Sequence, residues 1–460
     1  MDDIKELTGT FFSAFRKDIG SGRRMGLEPE FIAINKHTGL SAAPHETIKA
    51  LRSAGTRLGL EPSDSGMVWS GKLSIDGIGG ALRIGTDMGS GTWEISFPPS
   101  RSVAEAERML IHVMDLLIDA ADRNGIALLG MGIQPLSRPS WELVMPKKRY
   151  DTLTARHNTN NLLQKPLVDS LLNTITAASH VHFEVTPDEA VAAVNLFNAI
   201  APEIIALSSN SGIIGGRNAA TLEPREHFWD MLTKHPRDSG RNGIPERWFI
   251  GREDYVGFTS GFQPVLTKRN GDFLAFIDSA SMLDFFRNGA DAHFVANGHT
   301  AKLAFEQIDM NMHDSFIWFN SRLKSGTGTL EIRSASQQPT LSDTIAIAVL
   351  FKGLLEGRSS AEDVVRDRTV ERARELRLSA IKNGMNDPAN GAELAANAGH
   401  LLFIAAKSLE RKGENSDALS PLFLRVVRRE SPSDQNRVLM NGSPGKLINA
   451  RKLTVQGMPA

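Results

Sequence analysis

The sequence predicts an α+β fold built on an antiparallel sheet. Strand-like and helix-like segments are mixed, without the regular β–α–β alternation of a parallel sheet. Residues 70–99 alternate short apolar runs with Gly-rich turns, the pattern of strands joined by hairpins. No G-x-G-x-x-G opens a helix after a strand and no G-x-x-x-x-G-K-[ST] occurs, so neither a Rossmann nor a P-loop nucleotide site is indicated.

Taken in order, an amphipathic pattern predicts a first helix to about Lys17, ended near Gly20 and Gly22. Residues 25–35 (MGLEPEFIAIN) read as a strand, and 44–53 as a helix with Pro44 at its start. Within 70–99 the clearest strand is 92–97. Residues 102–123 carry apolar side chains at 109, 110, 113, 116, 117 and 120, a helical spacing. A short apolar strand follows at 126–133. Residues 178–186 alternate as a strand, and Pro187 starts a helix to about Leu207 with Asp188 and Glu189 in its first turn, where the helix dipole favours acids. Residues 329–334 form another strand after the turn 325–328. Pro339 ends that segment, and Ser342 caps a helix toward Leu355. Helices are expected at 360–375, 376–383 and 391–411, and the Gly- and Pro-containing 441–460 is expected to fray. This divides the chain into a domain 1–357, a helical part 358–440 packed on it, and a tail 441–460.

Composition excludes several classes. Lys plus Arg number 52 against 53 Asp plus Glu, so no basic bias points to nucleic acid. The run at 425–429 (RVVRR) reads as a solvated or helix-terminal patch. There is no cysteine, which removes disulfides, thiolate metal sites and a cysteine nucleophile, and suits a reducing compartment. Met1-Asp2-Asp3 lacks the basic start of a signal peptide. The most apolar stretch, 345–355, is too short to span a bilayer and contains Lys352. A cytoplasmic protein without membrane or nucleic-acid partners is expected; an oligomer is compatible with the sequence.

Four strands carry ionisable groups among apolar neighbours. Residues i and i+2 of a strand share a face, so Glu28 and Glu30 project together while Leu27 and Phe31 face the other way. Side-by-side carboxylates repel unless a cation neutralises them or one holds a proton; hard oxygen ligands suit Mg²⁺ or Mn²⁺. Glu94 sits likewise in TWEIS, Glu331 and Arg333 in TLEIR, and His180 and His182 in SHVHF. Each strand alone also reads as a half-exposed antiparallel strand, and His180 as a hydrogen-bonded core histidine. If the four share one sheet, one face is apolar and the other is lined by acids, imidazoles and a guanidinium, a surface suited to a nucleotide held by divalent metal.

The chain resembles the glutamate–cysteine ligases of the plant and proteobacterial type, and more widely the related carboxylate–amine ligases. The resemblance rests on GLEPE at 26–30, TWEIS at 92–96, LGMGIQP at 129–135, MPKKRY at 145–150, Asn210-Ser211, REHFWD at 225–230 with RDSG at 237–240, and His313 through Arg322 followed by LEIR at 330–333. The landmarks are in family order over about residues 23–357. The resemblance implies a curved antiparallel sheet flanked by helices, as in glutamine synthetase-like catalytic domains. It implies an ATP- and Mg²⁺-dependent ligase (Mn²⁺ serving as well) that activates the γ-carboxylate of L-glutamate as an acyl phosphate and joins it to an amine such as L-cysteine. Glu28, Glu30, Glu94 and Glu331 would be metal ligands. His180, Arg322, Lys147 and Arg149 would line the ATP site, and Arg333 and Arg225 would contact phosphate or substrate. Two departures bear on the amine: residues 334–339 (SASQQP) replace the plant Gly-Gly-Pro run, and His180 and His182 stand where plant members have Gln and Asn. A γ-glutamyl ligase acting on another amine, and an inactive binding protein of the same fold, are the competing readings. A histidine-based metallohydrolase lacks its H-E-x-x-H.

Overall fold

The computed structural model describes residues 2–20, 22–75, 77–159, 171–232, 239–276, 280–294 and 300–454. Arg237 and Asp238 of the RDSG landmark and the last residues of the tail, 455–460, lie outside these. The chain begins with helix α1 (Asp2–Phe11), strand β1 (Met25–Asn35) and helix α2 (Pro44–Arg57). Strands β2 (Glu61–Ser63), β3 (Val68–Ile75), β4 (Ile78–Thr86) and β5 (Thr92–Ser96) form a meander. Helix α3 (Val103–Arg123), β6 (Ile126–Leu129), α4 (Lys148–Thr159) and β7 (Ser179–Glu184) follow. Helices α5 (Pro187–Ala199), α6 (Ala201–Ser208) and α7 (Pro224–Leu232) lead to a small antiparallel sheet, β8 (Leu266–Arg269), β9 (Asp272–Phe276), β10 (Ala290–Phe294) and β11 (Thr300–Leu303). The chain returns to the main sheet with β12 (Ser321–Lys324) and β13 (Thr329–Ile332). The remainder is helical: α8 (Leu341–Glu356), α9 (Arg358–Val364), α10 (Val370–Asn383), α11 (Gly391–Arg411), α12 (Ser420–Arg428), α13 (Pro432–Gly442) and α14 (Pro444–Arg451).

Among the described residues nine strands make one open sheet in the order β12-β13-β7-β1-β5-β4-β3-β2, with β6 on the C-terminal half of β1. Every pair is antiparallel, so the expected α+β architecture holds. Period-2 alternation sends Leu27 and Phe31, Trp93 and Ile95, Val181 and Phe183, and Leu330 and Ile332 into one continuous core. Against that face pack α3, through Met109, Leu110, Val113 and Leu117, and the almost wholly apolar α8. Long helix α11 lies on α8 and extends the same core through Leu394, Leu401 and Leu402.

Several element ends differ from expectation for local reasons. α1 stops at Phe11, and Phe12 and Phe15 bury their rings in the turns that follow. The predicted helix 187–207 is two helices bent by 52°, with Pro202 starting the second, because proline removes a backbone donor. The cap of α8 is Thr340, whose hydroxyl accepts from the Asp343 amide at 3.0 Å, and not Ser342. The predicted 360–375 breaks at 365–369, where Thr369 caps α10, which then runs through the expected boundary at 375–376. Residues 444–451 of the expected tail form α14, anchored by buried Leu447 against Ile32, Ile34 and Leu129. No single helix among the described residues is long and apolar enough to cross a membrane; the bent pair α5–α6 passes only when joined, and most of its residues are buried.

Phe351 of α8 is fully buried and meets the Phe197 ring edge-on at 5.9 Å. Phe351→Ala is expected to destabilise the protein by about 3–5 kcal/mol through lost burial and a residual cavity. A lowered urea midpoint would show it; an unchanged midpoint would remove this contact from the core's determinants.

Candidate active site

The polar face of the sheet is assembled by cross-strand register. Glu30 on β1 lies opposite Glu94 on β5, and Glu28 opposite His180 on β7. Glu331 on β13 lies opposite His182 on one side and Arg322 of β12 on the other. Gly26, opposite His182, contributes no side chain. These groups line a cavity of about 340 Å³, closed at its far side by Arg333, Arg225, Trp229 and Trp318 and at its near rim by Asp87, Arg83 and Arg149.

The acids are held in different states. Glu28 accepts from Ser96 Oγ at 2.9 Å and meets His182 Nε2 at 3.0 Å. Burial would raise its carboxyl, but the His182 hydrogen bond and charge, with His180 nearby, outweigh it and hold the group down at about 2. Glu331 is gripped by Arg322 through Nε at 2.7 Å and Nη2 at 3.0 Å, and also pairs with Arg333, so it stays well below the usual carboxylate range despite burial. Glu30 is 6 % exposed and accepts from the Ala178 amide at 2.7 Å. Burial, with the charges of Asp87 and Glu94 beside it, pushes it well above that range. Burial and Glu28 raise Glu94 to about 7, with Arg83 at 3.3 Å opposing. His180 is kept neutral by burial and by the Arg333 guanidinium.

Such a set is short of positive charge at its centre and suits a divalent cation. Donor atoms of Glu28, His182 and Glu331 lie within 4.8 Å of one another and could hold a metal ion. Glu30 and Glu94, driven toward protonation by burial and by neighbouring carboxylates, gain most from such neutralisation.

The loops hold the ends of this face. MPKKRY braces the rim: Tyr150 donates to Asp87 at 2.9 Å, and Lys147 Nζ donates to the Thr86 carbonyl. Lys147 itself lies outside the cavity, and burial lowers its ammonium to about 8. Arg149 stands over the Phe316 ring at 5.2 Å. In LGMGIQP, a Cβ at Gly130 would lie 2.3 Å from the Pro339 carbonyl oxygen, and one at Gly132 2.3 Å from Ser336 Oγ. Glycine at both positions lets segment 334–339 pass against the end of β6. Arg225 is 2 % exposed, bonding Ser336 Oγ at 3.2 Å, Glu226 at 2.8 Å and the Ser334 carbonyl at 3.2 Å. Arg322 also donates to the carbonyls of Asp314 and Ser315.

Nine of the ten residues singled out from sequence, all but Lys147, line the one cavity. Sequence reasoning placed His182 on the face but assigned it no role, although its spacing from His180 carried the same signal. Asp87 and Trp318 were missed because a turn and a two-residue strand bring them in, with no periodicity to read, and Trp229 because its place on α7 does not say which cavity it meets.

The chloroplastic glutamate–cysteine ligase of Brassica juncea is 27% identical over 339 residues, covering 72% of this chain and 61% of the relative. Glutamate–cysteine ligase EgtA of Mycobacterium tuberculosis is 29% identical over 154 residues, 33% of each chain. The chain thus spans about three fifths of the length of the plant relative, which the alignment covers to 61%. A bifunctional glutathione synthetase from Pasteurella multocida superposes with a TM-score of 0.50 at 13% identity, over 97% of this chain and 52% of that one, a likeness of fold. The model of glutamate-cysteine ligase family 2 (GCS2) matches residues 24–450, and the chain belongs to that family.

Proposed function

We propose that this protein uses ATP to activate the γ-carboxylate of L-glutamate and joins it to an amine, with L-cysteine the leading acceptor. The observation that carries the reading is the convergence of Glu28, Glu30, Glu94, Glu331 and two imidazoles with Arg333 in one cavity on the sheet face. Glu28, Glu30, Glu94, Glu331 and His182 would hold Mg²⁺ or Mn²⁺, which when bound neutralises phosphate oxygens. Phosphoryl transfer asks for positioning and charge stabilisation more than for a protein nucleophile, and no cysteine exists to act as one.

Arg333, fixed by Glu331 and lying 5.9 Å from the Trp229 ring centre, faces the charge that develops on the transferred phosphoryl group and on the phosphate that leaves. Arg322 and Arg225 act through others: the first orients Glu331, the second holds segment 334–336. His180, neutral, offers hydrogen bonds without adding charge. Arg149 supplies positive charge at the rim for the nucleotide's phosphates, and Lys147 supports the Asp87 turn beneath it. An adjoining cavity of about 460 Å³ shares Glu28 and His182 and is walled by Phe97 and Pro99, surfaces suited to the apolar part of the nucleotide. The glutamate carboxylate attacks the γ-phosphorus and ADP leaves; the neutral amine then attacks the acyl carbonyl and phosphate leaves. The cysteine-free composition fits the reducing cytoplasm as its site of action.

The direct test is ADP release with Mg²⁺ and L-glutamate across a panel of amines that includes L-cysteine, with products identified by mass. γ-Glutamylcysteine is the expected product. Turnover with a different amine would keep the ligase and discard cysteine; no ADP from folded, metal-loaded protein would favour a binding role. Glu28→Gln preserves shape and removes charge, and kcat is expected to fall by about 10²-fold or more, the scale of losing one preorganised electrostatic contact. Wild-type turnover in that variant would take Glu28 out of the site.

The acids also predict a pH response. Glu94 is raised to about 7 from an ordinary 4.5, so between those values the unfolded chain has released a proton that the folded protein keeps. The contribution of Glu94 to the stability of metal-free protein therefore falls as pH rises through that window, whereas Glu28, held at about 2, has finished titrating below it. Added Mg²⁺ should raise Tm more at pH 8 than at pH 5.5. An equal shift at both would disconnect the metal from these carboxylates.

A further inference from the structure

A second polar cavity, of about 220 Å³, lies between the N-terminus of α8 and helices α12 to α14, and shares no lining residue with the catalytic cavity. Three guanidiniums line it: Arg425 and Arg428 of the RVVRR run, and Arg451. They are not equivalent. Arg425 is buried and already paired, with Asp343 at 2.8 Å, and donates to Gln338 Oε1 at 2.7 Å and to the Leu207 carbonyl at 3.0 Å. Arg451 is only 8 % exposed, yet forms no ion pair with a described carboxylate. Its Nε donates to Asn436 at 2.6 Å and its Nη2 to Gln435 at 3.2 Å, both neutral amides, and its Nη1 has no hydrogen-bond partner among the described residues. Burial, with the neighbouring Arg425 charge adding to it and Asp343 only partly opposing, lowers it to about 10. Arg428 is exposed at the rim.

A charged side chain nine-tenths buried without an acidic partner is costly unless an anion reaches it. A polyanion is a poor occupant, since Asp343 and Glu430 also line the cavity and Arg425 is already neutralised. We infer that this cavity is a distal binding site for one small oxyanion group of the phosphate class, held by Arg451 and Arg428 with Arg425 as its fixed wall. The site also adjoins the segment that follows Arg333 and that Arg225 holds. Arg425 bonds Gln338, whose Nε2 donates to the Ser336 carbonyl, and Ser336 Oγ accepts from Arg225. Arg451 reaches the same segment through Asn436 and Asn210, whose Nδ2 donates to the Gln337 carbonyl at 2.6 Å.

The test is calorimetric titration of the full chain with inorganic phosphate at constant ionic strength. Saturable binding is expected in wild type and in Arg333→Gln, which removes one guanidinium of the catalytic cavity and leaves the distal cavity intact. Affinity should weaken by about tenfold or more in Arg451→Gln, the scale of losing a hydrogen bond to a charged group. Arg428→Gln, at an exposed position where no packing is lost, should weaken it in the same direction. Phosphate binding that survives both pocket substitutions, that vanishes in Arg333→Gln, or that is absent from wild type would overturn the assignment.

Discussion

Burying Glu28, Glu30, Glu94 and Glu331 side by side on one sheet face demands counter-charge, and much of the molecule outside the sheet serves to supply or hold it. Glu331 is gripped by Arg322, whose remaining donors are tied to the carbonyls of Asp314 and Ser315. Arg333 is fixed by Glu331 and backed by Trp229. Glu28 relies on Ser96 and His182. Glu30 and Glu94 receive least, and burial and neighbouring charge raise both. The unevenness is chemically useful. Glu28 and Glu331 are held in place by their partners, and Glu30 and Glu94, left short of positive charge, are where a cation gains most.

The same constraint explains why irregular segments near the sheet are tightly bonded. Segment 334–339 has to carry Arg333 to the cavity and then turn into α8. It is wedged against Gly130 and Gly132, where any side chain would collide with it, and stitched by Asn210, Gln337 and Gln338 to α6 and β6. Rigid support of this kind matters because a catalytic group displaced by about 1 Å loses much of its electrostatic effect. The C-terminal helices extend that support: α11 packs on α8, and α12 and α14 place Arg425 and Arg451 behind the segment.

Membership of glutamate-cysteine ligase family 2 rests on a match over nearly the whole described chain, whereas the plant relative extends well beyond it, being covered to 61%. On the polar face of the sheet His180 and His182 add imidazoles to a surface otherwise dominated by carboxylates and guanidiniums.

By itself the sequence determined the strands and their faces. In a strand, alternation is a local property, so GLEPE, TWEIS, SHVHF and TLEIR each announced which side chains point together before any pairing was known. It also determined the absence of sulfur chemistry and the type of each main helix, through prolines at 44 and 187 and helical apolar spacing at 102–123. Only the tertiary structure decided which strands are neighbours, because register is set by pairing across long sequence separations, as between Glu28 and His180. It likewise decided that Arg322 and Arg225 face inward to carboxylates and carbonyls, that Asp87 and the two tryptophans close the cavity, and that Arg425 of RVVRR is buried against Asp343. A charged residue's partner is a fact about three-dimensional proximity, and the linear sequence does not encode it in any period.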